Sequence, residues 1–445
     1  MSLLNTFIKR PPTEEVLYAK GNALYMKDGK IYKDFSGGFT GHSVIGWGNK
    51  DIADKAYDQL SKIGHIDYKN LQDPNRIQLG KVLTSLSESG LEYAYFVGGS
   101  GGEACEAAIK LSYQAHVLNK NSSKLHYISR KQSYHGISSD NLSLGDRPNL
   151  DIFKPFHSVH RTKIEEHNIY RQLLEGETLE EYTERSLSQL EEEILKIGPE
   201  NVGGFIGETI MGGLVGDVPP TTNYWKGIRE ICNTYQIHLI LDEVWCGCGV
   251  SGKYFCHDWD SIKPDFVFFG KTLAGGYAPI SALMTTEEIK DSLSQENGQI
   301  KHSTTFQGHS LSCAITLEVI NQIQKNSWLD NAFLQGEWLR NDVSEKLKSS
   351  KYYRNIRGRG VRNSVEHSAP DQHLFSIEIG NRLRELGFII SSKWHRVQIL
   401  PTLNIERSQL REFLDVFYEE WFKLENDWEY LDKDKIDQKP FFSVK

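Results

Sequence analysis

The sequence has no long basic run and no excess of positive charge: 51 Lys and Arg stand against 59 Asp and Glu, a formal net charge of −8. A nucleic-acid-binding face needs clustered Lys and Arg to displace counterions, so this balance argues against such a partner. The short stretch RGRGVR at 357–362 does not supply one. No segment approaches the ~18 consecutive apolar residues of a membrane span. The first residues, MSLLNTFIKRPPTEE, lack the basic-then-apolar order of an export signal, which makes the cytoplasm the expected address. Cysteine is scarce. Cys105, Cys232, Cys246, Cys248, Cys256 and Cys313 are too few and too scattered for a disulfide scaffold. Cys246 and Cys248 form a CxC with no second pair at zinc-ligand spacing, so reduced, partly buried thiols are expected and a metal site is not. Internal repeats, low-complexity tracts and Pro/Gly/Ser-rich linkers are also missing, so the domains are woven together rather than tethered.

What remains is an ordinary folded composition over 445 residues, enough for more than one core. The pattern divides into an N-terminal segment (1–60) that joins a small domain, a large domain (61–325) and the C-terminal part of the small domain (326–445). Residues 23–35 read as a hairpin around Lys27-Asp28-Gly29-Lys30, and 51–63 have helical periodicity. Between about 90 and 290, short apolar strands alternate with helices. The strands are Tyr93–Val97, Leu125–Ser129, Gly204–Gly207, His238–Leu241, Phe266–Phe269 and Ile280–Met284. Strands without polar alternation, separated by helices, imply an α/β fold with a mostly parallel sheet covered on both faces. The helix Thr178–Ile197 is expected to bury Leu179, Leu187, Leu190 and Ile194. Beyond 330, helices mix with strands near Phe375–Ile379 and Val397–Leu400, the pattern of a smaller α+β domain.

Ligands of an open parallel sheet sit beyond the carboxyl ends of its strands. Four features fall there. Gly98-Gly99-Ser100-Gly101-Gly102 joins a strand to a helix and suits an anion, because glycines let the backbone approach and the helix start offers N–H groups. Asp242 follows His-Leu-Ile-Leu, and Lys271 follows Phe-Phe-Gly. Tyr134-His135-Gly136 lies beyond the strand at 125–129. Singly, each has a plain structural explanation: a tight turn, a salt bridge, a packed ring. Together they meet the needs of pyridoxal phosphate, which takes a lysine for its Schiff base, a carboxylate at its ring nitrogen, an anion cradle and a flat stacking surface.

Gly207–Lys271 resembles the core of the class III aminotransferases, a pyridoxal-phosphate family of fold type I. The stretches that carry the likeness are GETIMGGLVGDVPP, LILDEVWCGCGVSGKYF and KPDFVFFGKTLAGGYAPISA, with FVGGSGGEACEAAIKL, QSYHGISS, HSTTFQGHSLSCA and the late ILPTLNI. The resemblance spans essentially the whole chain. It implies that Lys271 forms the Schiff base and shuttles the proton, and that Asp242 pairs with the pyridine nitrogen. It further implies that Tyr134 and Val244 flank the ring and that Ser100, Gly101 and Gly102 cradle the phosphate. His135 and Glu208 are expected beside the cofactor, with a capping or core-edge carboxylate as the lesser alternative for Glu208. Thr305 resembles the threonine that reaches the phosphate from a neighbouring subunit, which implies a homodimer with its site at the interface.

Departures from the family pattern are specific. Gly102 stands where Ser or Thr is usual, Cys105 where Asn is usual, Val250 where a turn arginine is usual and Thr402 where the second proline of a pair is usual. Relatives often carry a carboxylate-binding arginine shortly before that pair. Here the stretch reads Ser391-Ser392-Lys393-Trp394-His395-Arg396, leaving Arg396 or Lys393 to substitute. Lys replaces a bidentate Arg poorly. Among the aromatics, Phe35, Phe39, Trp47 and Trp245 are candidates for the substrate pocket, with core packing as the alternative. The expected activity is a ping-pong transamination, from an amine or amino acid to a keto acid such as pyruvate or 2-oxoglutarate. Decarboxylases, racemases, aminomutases and phospho-lyases would use the same Lys271 and Asp242.

Overall fold

The computed structural model describes residues 12–438 together with Leu4, Thr6 and Ile8. The chain forms two compact units. A terminal unit takes the residues up to Ala53, the short return Val250–Gly252 and everything from Asn326 onward; a central unit takes Asp54–Gly249 and Lys253–Lys325.

The terminal unit opens with β1 (Val16–Lys20), β2 (Ala23–Met26) and β3 (Ile31–Asp34), paired antiparallel in sequence. The turn Lys27–Lys30 joins β2 to β3 as its Asp-Gly composition requires.

The central unit is built on seven strands: β4 (Tyr93–Phe96), β5 (His126–Arg130), β6 (Arg161–Ile164), β7 (Val202–Glu208), β8 (His238–Asp242), β9 (Phe266–Phe269) and β10 (Ala282–Thr285). Their order across the sheet is β4-β10-β9-β8-β7-β5-β6. Only β10 runs against its neighbours β4 and β9; the pairs β9/β8, β8/β7, β7/β5 and β5/β6 are parallel. Every residue of β7, β9 and β10 is buried, as expected of strands covered on both faces. The Gly101–Leu118 helix lies over this sheet on a face of small residues, Ala104, Cys105, Ala107, Ala108 and Ala115. These pack into one core with Tyr127, Ile206, Ile240, Phe266, Phe268 and Leu283. In the Leu179–Ile197 helix, capped by Thr178, the buried stripe is Tyr182, Thr183, Ser186, Leu190 and Ile194. Leu179, expected inside, is 52% exposed, because the stripe begins one turn later with the tyrosine.

The terminal unit resumes with β11 (Tyr353–Arg359), β12 (Arg362–His367), β13 (Phe388–Ile389), β14 (Ser391–Lys393) and β15 (Arg396–Ile399). β13 joins the N-terminal strands by pairing parallel to β3, and the others form a second sheet in the order β11-β12-β15-β14. The strand expected at Phe375–Ile379 is instead part of the Gln372–Glu385 helix. Its alternating Phe-Ser-Ile-Glu-Ile mimics a strand, but Phe375, Ile379 and Leu383 recur every fourth residue and are all buried. Aromatics fill this core. Phe35 stacks on Phe413 with ring centroids 4.1 Å apart, and Phe375 meets both Trp421 and Trp428 edge-on.

Candidate active site

Because β10 alone is reversed, the carboxyl ends of β4, β5, β7, β8 and β9 meet on one edge of the central sheet, where such folds bind ligands. Glu208 and Asp242 end β7 and β8 and are partners in register, so two carboxylates sit side by side there. Both are buried.

Asp242 is held from two sides. Its Oδ1 accepts the N–H of Val244 at 2.9 Å, and its Oδ2 lies 2.7 Å from Nδ1 of the buried His135. A carboxylate can only accept, so the His135 ring carries its proton on Nδ1. Its Nε2 is then buried with no hydrogen-bond partner among the described residues. Glu208 is fully committed to the backbone: Oε1 accepts the N–H of Tyr134 at 3.1 Å and Oε2 that of Gly212 at 2.8 Å. Arg130 donates to the Glu208 carbonyl oxygen and sits 5.2 Å from the Trp225 ring. Burial raises the Glu208 carboxyl above its usual range, opposed by the nearby His135. Glu208 thus ties the loop after β5 to the loop after β7, and with it the backbone that carries Tyr134 and His135. Tyr134 itself is half-buried, with the Arg147 guanidinium 5.5 Å from its ring.

The glycine loop delivers a helix start. Ser100 caps the Gly101–Leu118 helix, accepting the Glu103 N–H, while the Glu103 carboxylate accepts the N–H groups of Gly99 and Ser100. The cap leaves the first-turn amides of Gly101 and Gly102 as donors that the helix cannot satisfy within itself. A Cβ on Gly101 would lie 2.4 Å from Val244 Cγ2, so only glycine lets Val244 pack on the helix start. Behind it, Asn141 Nδ2 donates to the Gly102 carbonyl at 2.8 Å, and a Cβ on Gly136 would fall 2.6 Å from that same Nδ2. Cys105, on the next turn, is buried, and burial pushes its thiol well up.

Lys271 follows β9 after a single glycine. A Cβ on Gly270 would lie 3.1 Å from Gly101 N, so the backbone leading into Lys271 passes directly beside the helix start. Lys271 begins a short 3-10 turn with φ at 37°, an uncommon conformation for a residue with a side chain and one that concentrates at functional sites. Its Nζ lies 4.9 Å from the centroid of the Trp245 ring.

Several of these supports were not legible in the sequence: Asn141, Gly136 as a close-approach site, the Asp217 partner of Trp245, and the pair behind Asp242. Glu243, fully buried, accepts from the N–H groups of Cys256 and His257, each at 2.7 Å. It also accepts from His257 Nδ1 at 2.8 Å and Thr209 Oγ1 at 3.2 Å. The one available signal was a second acid directly after Asp242, which alternation along the strand sends to the opposite face.

The remaining expected residues lie on other elements. Thr305 is exposed in the central unit, and its carbonyl bonds to the His65 ring at 2.9 Å. Phe39 and Trp47 belong to the terminal unit, half-buried against Leu24, Met26, Tyr32 and Ile389. Phe35 is entirely within the aromatic core of that unit. Arg396 lies on β15 at 0% exposure, its guanidinium 5.1 Å from the Trp394 ring.

Comparison with known proteins agrees with this chemistry. A family model described as aminotransferase class-III matches residues 10–419. An uncharacterized aminotransferase of Schizosaccharomyces pombe is 33% identical over 353 residues, 79% of this chain and 76% of that protein. Gamma aminobutyrate transaminase 2 of Solanum lycopersicum is 31% identical over 418 residues, covering 90% of this chain and 89% of its own length. Among solved structures, the omega transaminase from Pseudomonas jessenii in complex with PMP is similar with a TM-score of 0.87. Its identity is 25%, over 94% of this chain and 93% of that one.

Proposed function

The chain belongs to the class III aminotransferases, and from that premise we propose that Lys271 and Asp242 carry out its amino-group transfer at the carboxyl edge of the central sheet, in a homodimer. The reaction moves an amino group from an amine or amino-acid donor to a keto acid, with pyridoxal phosphate as cofactor. The residues present suit that cofactor. Asp242 is a buried carboxylate paired with no Lys or Arg in any hydrogen bond or ion pair described, and His135 leaves a buried Nε2 unpartnered beside it. Gly101 and Gly102 open a capped helix for an anion. The observation that carries the reading is the close approach of the backbone before Lys271 to that helix start.

When bound, pyridoxal phosphate supplies a carbonyl carbon for amines and an electron-withdrawing ring. The protein's part is to hold and to move protons. Lys271 Nζ would hold the carbonyl end and then act as the base and acid that carries the proton in both half-reactions. Asp242 would keep a proton on the ring nitrogen, and the Nδ1–H of His135 holds the Asp242 carboxylate in orientation. Ser100, Gly101 and Gly102 would take the phosphate, with Tyr134 and Val244 against the ring and Glu208 fixing the loop beneath. Arg396 is fully buried, which makes it a poor carboxylate fork, so the acceptor, which we take to be pyruvate or 2-oxoglutarate, needs recognition from other groups as well.

The exposed apolar side chains of Phe306, next to the exposed Thr305, and of Ile63, two residues before the His65 that bonds to it, support a second copy covering this segment. Six free, buried thiols support a reducing compartment, the cytoplasm; no helix among the described residues is long and apolar enough to cross a membrane. The test is visible absorbance of the purified protein against a panel of amines without keto acid. A yellow protein that bleaches with a particular amine and recovers with pyruvate or 2-oxoglutarate is the expected result. Turnover without bleaching or an acceptor overturns the reading.

A further inference from the structure

Trp245 is built into the site more firmly than packing requires. Its ring is 8% exposed, and its Nε1–H donates to Asp217 Oδ1 at 2.6 Å. Asp217 is itself fully buried and sits at φ 54°, in the left-handed region. The segment that presents it is a closed loop: Met211 and Val218 bridge antiparallel, and the N–H of Gly216 returns to the Gly212 carbonyl at 2.8 Å. Gly212, at the foot of this loop, bonds through its N–H to Glu208, and a Cβ there would lie 2.2 Å from Trp245 Cδ1. One loop therefore supplies the indole's hydrogen-bond partner at its rim and the bare backbone on which the ring lies. An apolar side chain filling space needs neither.

The ring so fixed carries Lys271 Nζ 4.9 Å from its centroid, within the range of a cation–π contact. We propose that Trp245 is a positioning residue for Lys271: the loop 211–218 holds the indole, and the indole face holds the positively charged nitrogen at the strand edge where the reaction occurs. The proposal rests on Lys271 being the residue that takes the cofactor. An indole face favours the charged nitrogen over the neutral one and covers one side of it from water, and an aliphatic side chain of similar bulk does only the second.

The test compares holoenzymes of the wild type, Trp245→Leu, Trp245→Phe and Asp217→Gly, the last removing the anchor with a residue that tolerates φ 54°. The readouts are the pH titration of the bound cofactor's visible absorbance and its visible circular dichroism. The other titratable groups at this edge, Asp242, Glu208 and His135, are unchanged in all four. Trp245→Leu is expected to move the midpoint down by about half a pH unit, about threefold in the ionisation constant, and to weaken the dichroism. Trp245→Phe and Asp217→Gly are expected to move both in the same direction but less. A Leu variant indistinguishable from the wild type, or a Phe variant displaced as far as Leu, overturns the proposal. Should the Leu variant not fold, an Asp217→Gly holoenzyme with unaltered spectrum overturns it equally. Borohydride reduction followed by peptide mass analysis separates the two readings. If pyridoxal phosphate is trapped on a residue other than Lys271, the functional reading fails. If it is trapped on Lys271 and the spectra do not respond to Trp245, only the present proposal fails.

Discussion

At the scale of single residues, Lys271 and Asp242 are the two side chains proposed to carry the chemistry. Lys271→Ala would remove both the amine proposed to take the cofactor and the proposed proton carrier. The single-turnover rate with an amine donor, followed by absorbance, is expected to fall by at least about 100-fold. Asp242→Asn keeps the shape but withdraws the charge that holds the ring nitrogen protonated, and the same rate should fall about 100-fold, the scale of losing a preorganised electrostatic contact. If either variant stays within a few-fold of the wild type, the role given to that residue is wrong. These two were singled out in the sequence because pyridoxal-phosphate chemistry demands a lysine and a carboxylate, and the structure shows their place, Asp242 ending β8 and Lys271 just after β9. Asn141 and Asp217 were not, because each acts through one hydrogen bond, to Gly102 and to Trp245, across dozens of positions. No periodicity or spacing records such a pairing. Glu208 shows the converse: its position was legible, but only the structure reveals that both its oxygens are taken by backbone N–H groups.

At the scale of elements, the site depends on how closely strand ends and helix start approach. Gly101→Ala would drive a Cβ to 2.4 Å from Val244 Cγ2, and the helix start or Val244 must shift. The expected cost is about 1–3 kcal/mol, read as a lowered melting temperature together with weaker retention of pyridoxal phosphate on dialysis. Behind Asp242, the pair Glu243 and His257 locks the end of β8 to the segment at 256–257. Burial alone lowers a histidine, but Glu243 outweighs it and the imidazole is raised above its ordinary value. A group raised on folding contributes stability in full below the unfolded value, about pH 6.5, and loses it as pH rises through the folded one. His257→Gln should therefore lower the melting temperature most below about pH 6.5, with a cost of about 1.5–3 kcal/mol for the lost hydrogen bond to the buried carboxylate, and the gap to the wild type should narrow at higher pH. A gap independent of pH would mean the pair is not ionised. The parallel strands of the central unit were readable because burial on both faces leaves unbroken apolar runs. The Gln372–Glu385 helix was misread at Phe375–Ile379, where a period of two and a period near four share the same few residues.

At the scale of the whole molecule, the unanswered pieces of the central unit point outward. Phe306 is 65% exposed, next in sequence to a threonine that has no reason to face water if it serves this subunit's own site. A second copy covering that face accounts for both, and it makes a prediction that no monomeric arrangement shares. Thr305→Ala alone should weaken cofactor retention, and Lys271→Ala alone should be inactive. In a mixed dimer of the two, one site holds Lys271 from the Thr305→Ala chain and Thr305 from the Lys271→Ala chain, and is therefore complete. Co-expression with two different affinity tags and tandem purification isolates that species. If Thr305 acts across the interface, the mixed dimer recovers about half of the wild-type activity per dimer and binds about one tight equivalent of pyridoxal phosphate, since one of the two sites that twofold symmetry makes equivalent in the wild type is complete. If Thr305 acts within its own chain, every site in the mixed dimer lacks either the lysine or the threonine, and activity stays at the level of the Thr305→Ala enzyme or below. The two outcomes differ in kind, because recovery between two damaged chains requires that each site be assembled from both.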